Sequence, residues 1–291
     1  MLKGSGQFYL KLTNCFCLAL FLFGMSFISL SIAEAFPKQT EVALITDFDP
    51  SHATDKKHRI GVRFKMKPDW HIYWQYPGEF GLPTQIKFLL PAGITAGELQ
   101  WPAPEQFSQS GNQVGFGYSK EVVLFSELII PDSQSKFSAQ DFKAEVKWLN
   151  CSPKLCVPDS AELQLSDFEQ AEAAKTELDH WQGHVPLSVQ AGNSPLKVSQ
   201  QGVMSGDTGL ISLVLEWSME HGKVEFFPAL PKDLKIEDLF ISQEGLQSLI
   251  SFKVTRLRGV TDQPAHFFSA LIRPAAGNEE IQVYRFDVKL N

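Results

Sequence analysis

Two pairs of cysteines stand in different surroundings along the 291-residue sequence. Cys15 and Cys17 lie inside the apolar run Cys15–Ile32, whereas Cys151 and Cys156 lie in Asn150-Cys151-Ser152-Pro153-Lys154-Leu155-Cys156-Val157-Pro158. If the apolar run is removed as a leader, the second pair has no spare thiol beside it. In an exported protein such a pair is a disulfide, and it is either a staple or a redox centre that exchanges with another thiol. Lys154, inside the loop, either favours a thiolate by its positive charge or is a solvated turn residue. His71, with Asp69, could move protons for an attacked cysteine. On a strand, His71 shares a face with Asp69 and Tyr73 and could equally be exposed there. His180 and His184 have the spacing of a two-histidine metal face, but no third ligand accompanies them, so no metal is expected. Exchange between thiols and disulfides needs no bound cofactor, and none is expected.

The leader has the parts of a secretory signal. Lys3 and Lys11 precede the apolar run, and Ala33-Glu34-Ala35 supplies a small-x-small site. Residues 1–35 are therefore read as a signal peptide cleaved before Phe36. The run is also long enough to serve as a retained anchor, against which the cleavage site argues. The formal net charge is −7, and loss of Lys3, Lys11 and Glu34 makes it one unit more negative. Without a basic cluster, that balance speaks against nucleic acid and anionic membrane surfaces as partners. A Gly-x-Ser-x-Gly elbow, a P-loop and a dinucleotide glycine motif are all missing, which removes the commonest hydrolase and nucleotide-dependent readings.

The elements that must position the cysteines read as strands. Short alternating runs at 41–47, 59–66, 70–75, 85–90, 122–130, 142–150 and 161–165 are separated by Pro-, Gly- and Asp-containing turns, as in an antiparallel sandwich of immunoglobulin type. A helix is expected over Ser166–Trp181, started by Ser166-Asp167-Phe168-Glu169. Strand patterns resume at 209–216, 223–227, 248–256, 266–272 and 280–290. The fold expected is all-β: two immunoglobulin-like antiparallel sandwiches joined by a short helical linker. The corresponding domains are 36–168, carrying the cysteines, a linker at 169–186, and 187–291.

Placing Cys151 opposite Cys156 pairs Phe142 with Leu165, Ala144 with Leu163 and Val146 with Ala161 on one apolar face that includes Trp148. The other face pairs Lys143 with Gln164, Glu145 with Glu162 and Lys147 with Ser160. A one-residue slip would destroy both faces. This register puts the cysteines on the polar face at the hairpin end, where another protein's thiolate could reach them. A clip closing so short a loop restricts the unfolded chain by only about 2 kcal/mol in the chain-entropy model. Both the staple and the redox centre fit that placement.

The segment Lys67–Thr84, with Asp69-Trp70-His71, Tyr73-Trp74, Pro77-Gly78 and Gly81-Leu82-Pro83-Thr84, resembles the N-terminal periplasmic domain of the thiol:disulfide interchange protein DsbD. Gln100-Trp101-Pro102-Ala103-Pro104, Phe116-Gly117-Tyr118, Trp148-Leu149-Asn150-Cys151 and Cys156-Val157-Pro158 continue the resemblance in order. It is strong over about residues 40–170 and loose over 190–291, where Val224-Glu225-Phe226-Phe227-Pro228 carries it. The suppressor-of-copper-sensitivity (ScsB) branch, with two immunoglobulin-like domains, is the nearer look-alike. The resemblance implies a periplasmic protein that relays reducing equivalents between thioredoxin-like partners. It makes Cys156 the residue of the intermolecular mixed disulfide, Cys151 the resolving one, and Tyr73 an aromatic neighbour. A protective cap is implied within Phe107–Tyr118, with Phe107 and Phe116 as candidates for its aromatic residue. The family's membrane module and thioredoxin domain have no counterpart here, so a separate membrane thiol reductase or a free thioredoxin-like protein would supply them. A non-catalytic interaction module with a structural disulfide, and a copper-handling protein using the reduced cysteines and a nearby histidine, are the alternative readings.

Overall fold

The computed structural model describes residues 38–50, 57–108, 113–130, 137–191, 194–261, 263–275 and 282–290. The expected leader lies outside them. Among the described residues no helix is long and apolar enough to cross a membrane.

The first part of the chain is built from β1 (Thr40–Thr46), β2 (His58–Met66), β3 (His71–Gly78), β4 (Gln85–Leu89), β5 (Thr95–Ala96), β6 (Glu105–Ser108), β7 (Val114–Ser119), β8 (Glu121–Ile129), β9 (Lys143–Cys151) and β10 (Cys156–Gln164). They form two antiparallel sheets, ordered β1-β2-β8-β5 and β10-β9-β3-β7-β6, with β4 also pairing with β9. Alternation explains the packing: Ile60, Val62 and Phe64 of β2 point inward, as do Ala144, Val146 and Trp148 of β9 and Ile72 and Trp74 of β3.

Helix α1 (Ala171–Gly183) follows. It begins later than the Ser166 motif suggests. Phe168 is drawn into an aromatic cluster, 5.7 Å from Phe48 and 5.6 Å from Phe142 between ring centroids, so the chain turns there before the helix starts. Nor is the helix only a connector. Leu178 is buried against Val123 and Phe125 on the outer face of the first sheet, and Arg59 and Arg63 of β2 pair with Asp179 and Glu177 at 2.6 and 3.0 Å.

The second part comprises β11 (Leu187–Ser188), β12 (Leu196–Gln201), β13 (Met204–Ser205), β14 (Thr208–Trp217), β15 (Val224–Ala229), β16 (Leu234–Glu244), β17 (Gln247–Arg256), β18 (Phe267–Pro274) and β19 (Tyr284–Lys289). Its sheets run β11-β19-β18-β15 and β12-β14-β17-β16, with β13 on β14. The architecture is all-β, two sandwiches with one helix between them. Val224 and Phe226 of β15 enter the second core, whereas Phe227 and Ala229, with Leu271 and Val283, belong to the core of the first sandwich. Phe227 lies 5.3 Å from Phe116. The two sandwiches therefore share a continuous apolar junction on β3 and β7.

Candidate functional site

The hairpin β9–β10 has the register that the polar and apolar faces require: Cys151 opposes Cys156, and the pairing continues without a shift to Lys143 opposite Gln164. Phe142, Ala144, Val146 and Trp148 are buried, and Lys143, Glu145 and Lys147 are exposed. Cys151 and Cys156 form a disulfide whose Cα atoms are 4.1 Å apart. The connecting loop is a tight turn, in which the Ser152 N–H donates to the Leu155 carbonyl at 2.9 Å. Lys154 is exposed in that turn, beside the disulfide.

Exposure of the pair differs from the simple hairpin picture. Cys156 is exposed, but Cys151 is fully buried. The face that is polar at Lys143, Glu145 and Lys147 becomes covered at Leu149 and Cys151. The cause is a change of neighbour: β4 pairs with β9 from Lys143 to Lys147, whereas at Cys151 the partner is His71 of β3. Tyr73, two residues along β3, is fully buried and packs with Leu149, Cys151 and Phe80. A hairpin taken alone contains none of these covering groups.

The loop after β3 folds back to make this cover. Gly81 has φ +94°, and a Cβ there would fall 2.3 Å from the Tyr73 ring, so both the backbone angle and the close approach demand glycine. Phe80 meets Tyr73 edge-on at 5.9 Å, and its ring lies where a side chain on Gly115 would stand. Thr84 Oγ1 donates to the Tyr73 carbonyl at 2.8 Å. The Pro-Gly-x-x-Gly-Leu-Pro-Thr segment thus builds one wall of the site.

His71 sits in register with Cys151 on the same face and is buried rather than exposed. Its Nε2 lies 3.4 Å from the Tyr73 hydroxyl, and its ring stacks on Phe107 of β6 at 4.2 Å. Burial lowers its pKa from 6.5 to about 4 and raises that of Tyr73 to about 12, so both are neutral at pH 7. An unfolded His71 takes up its proton near pH 6.5 but the folded one only near 4. Between those values the unfolded chain holds more protons, so stability is expected to fall as the pH drops from about 6.5 to 4. His71→Gln should flatten that part of a denaturation profile measured against pH; an unchanged slope would assign it to other groups.

The remaining candidates separate clearly. Phe107 lies on the His71 side, whereas Phe116 is buried at the junction with Trp74 and Phe227, on the opposite face of the sheet. The structure does not bring Phe116 to the disulfide. The reason is pairing: Tyr73 opposes Gly117, so Phe116 and Tyr118 share the face of Ile72 and Trp74. Asp69, with φ 66°, is exposed at the turn before β3. His180 and His184 lie with their rings 4.6 Å apart at the end of α1, and His184 Nδ1 is 2.9 Å from the His180 carbonyl. Among the described residues no group of three or more His, Cys, Asp or Glu is arranged to hold a metal.

A groove of about 750 Å³ opens beside the disulfide loop, lined in part by Met66, Trp70, His71, Phe107, Ser152 and Pro153, with Lys65, Lys67 and Lys120 alongside Asp69 and Glu121. Its apolar floor and charged rim are formed by segments far apart in sequence. Phe107 and Pro153 both line it although β3 and β7 lie between β6 and the β9–β10 hairpin in the sheet.

Residues 41–167 match the family model "Thiol:disulfide interchange protein DsbD, N-terminal". Over this part the chain is similar to DsbD N-terminal domains. Among solved structures, the N-terminal periplasmic domain of ScsB from Proteus mirabilis is similar over 88% of this chain and 95% of that one, with a TM-score of 0.63 and 17% identity. That likeness extends the shared fold through the second sandwich. The DsbD N-terminal domain of Neisseria meningitidis, in its reduced form, aligns with 38% of this chain and 78% of that one, at 14% identity and a TM-score of 0.27. No curated protein sequence matches. The match over 41–167, together with the Cys151–Cys156 disulfide, supports a thiol:disulfide exchange domain in general terms.

Proposed function

We propose that this is a periplasmic relay protein whose Cys156 exchanges with a thioredoxin-like partner and whose Cys151 resolves the mixed disulfide. The observation that carries the reading is the asymmetry of the pair: an exposed Cys156 is bonded to a fully buried Cys151. Exchange requires a thiolate to approach one sulfur and displace the other. The partner's thiolate attacks Cys156 Sγ, the Cys151–Cys156 bond breaks, and Cys151 leaves as a thiolate that takes a proton. The partner's second thiol, deprotonated, then displaces Cys156, leaving the partner oxidised and this pair reduced. The reverse sequence passes the electrons onward, and neither direction requires a cofactor. The groove beside Pro153 and Phe107 is a seat for the partner's active-site loop, and it offers that partner charges of both signs, Lys65, Lys67 and Lys120 beside Asp69 and Glu121. A separate membrane thiol reductase is a candidate for the reducing side of the relay.

The reduction potential of the pair tests this reading. Exchanging centres lie at roughly −270 to −120 mV, whereas structural bridges lie below about −300 mV. A value inside the first range is expected from equilibration with glutathione or thioredoxin. A value well below −300 mV, with no exchange against a thioredoxin-like protein, would leave a structural bridge, the role to which the packing of Cys151 among Tyr73 and Leu149 would then be assigned.

A further inference from the structure

We propose that the second sandwich controls access to the disulfide, with Arg273 of β18 as the positioning residue. The inference rests on the exchange reading of Cys151 and Cys156. Arg273 Nη2 donates to the Pro104 carbonyl at 2.5 Å, and Nη1 donates to Glu225 at 3.1 Å. Its guanidinium also lies 4.9 Å from the Phe227 ring centroid, at the junction between the sandwiches. Pro104 immediately precedes β6, and β6 carries Phe107 onto His71, which opposes Cys151. The route is short: Arg273 holds Pro104, Phe107 follows three residues along the chain and stacks on His71, and His71 opposes Cys151.

The grip on this segment comes mainly from outside the face that holds the disulfide. The Ala103 N–H donates to the His184 carbonyl at 2.9 Å, and the Tyr118 hydroxyl donates to the Pro102 carbonyl at 2.8 Å. A segment containing Pro102 and Pro104 lacks two backbone N–H groups for ladder pairing, so carbonyl contacts of this kind must fix it. β6 is an edge strand of only four residues with β7 as its neighbour. A strand so short relies on what anchors its entry. Arg273 supplies a charge-assisted bond at that entry, and its partner Glu225 lies on β15, next to the strand that carries Arg273. Phe107 in turn lines the groove that also contains Pro153 of the cysteine loop, so any displacement of β6 alters what can approach the pair.

The test compares reduction of the oxidised full chain by dithiothreitol with that of four variants. Arg273→Met keeps the apolar stem over Phe227 but removes the donor, and should accelerate reduction by about three- to tenfold, the effect of losing one aromatic contact. Arg273→Lys, which retains a donor and a charge, should restore most of the wild-type rate. Phe107→Ala should accelerate reduction to a similar extent, and the double variant should react no faster than Phe107→Ala alone, because both act through the same cover. Additive acceleration, or a rate unchanged by Arg273→Met while Phe107→Ala accelerates, would overturn the proposal. If Arg273→Met does not fold, the same comparison is made with Arg273→Gln and Arg273→Lys, and equal rates for those two would also overturn it. Failure of the exchange reading has a different signature: the wild-type pair would have a potential below about −300 mV while these rate comparisons could still be made.

Discussion

Cys151→Ala is expected to accumulate a stable mixed disulfide through Cys156 with a thioredoxin-like protein, whereas Cys156→Ser captures nothing. The effect is all-or-none, because the mixed disulfide needs a sulfur that an incoming thiolate can reach. Cys156 is exposed at the start of β10, and Cys151 is buried at the end of β9 beneath Tyr73 and next to Leu149. In the Cys151→Ala variant the thiol proposed to resolve the adduct is gone, so the adduct persists and appears as a reducible band on a non-reducing gel. The opposite pattern, capture by Cys156→Ser alone, would reverse the two roles. It would also require β3 or the Pro77–Thr84 loop to move away from Cys151 before reaction.

Removing both cysteines should abolish exchange while leaving the protein folded. The bridge closes a loop with a sequence separation of 5, worth about 2 kcal/mol by chain entropy. The first sandwich keeps a large core through Phe64, Trp74, Phe142, Val146 and Trp148. Because Cys151 is buried, alanine is the appropriate replacement: a serine hydroxyl there would add the cost of an unpaired polar group. Cys151→Ala/Cys156→Ala should therefore be exported and retain a β-type circular dichroism spectrum, with a midpoint lowered by a few degrees and no thiol exchange. A double variant that is degraded or unfolded would make the disulfide structural to first order.

The hairpin was legible in the sequence because one register alone satisfies two faces at once. Phe142, Ala144 and Val146 against Leu165, Leu163 and Ala161 can be read from alternation, and the cysteines follow from the same arithmetic. Most of the long strands were legible for the same reason. Others were not. Strand β7 carries Gly115 and Gly117, whose presence weakens any strand pattern, yet the ring of Phe80 excludes a side chain at Gly115. Strand β16 has a register shift between Glu237 and Phe240, with Asp238 at φ 54°, and the shift breaks the alternation that would have marked it.

By itself the sequence determined the pairing of Cys151 with Cys156, the two-sandwich class and the segments that wall the site, since each depends on local alternation, turn residues or a motif. Tertiary structure alone decided that Cys151 is buried and Cys156 exposed, that His71 opposes Cys151, that Phe107 covers His71, and that Phe116 faces the second sandwich. Those facts depend on which strand lies beside β9 and on a register between β3 and β7, separated by some forty residues of chain. Alternation tells which side of its own strand a residue occupies. Only the packing of neighbouring strands tells whether that side meets water, a ring or another domain.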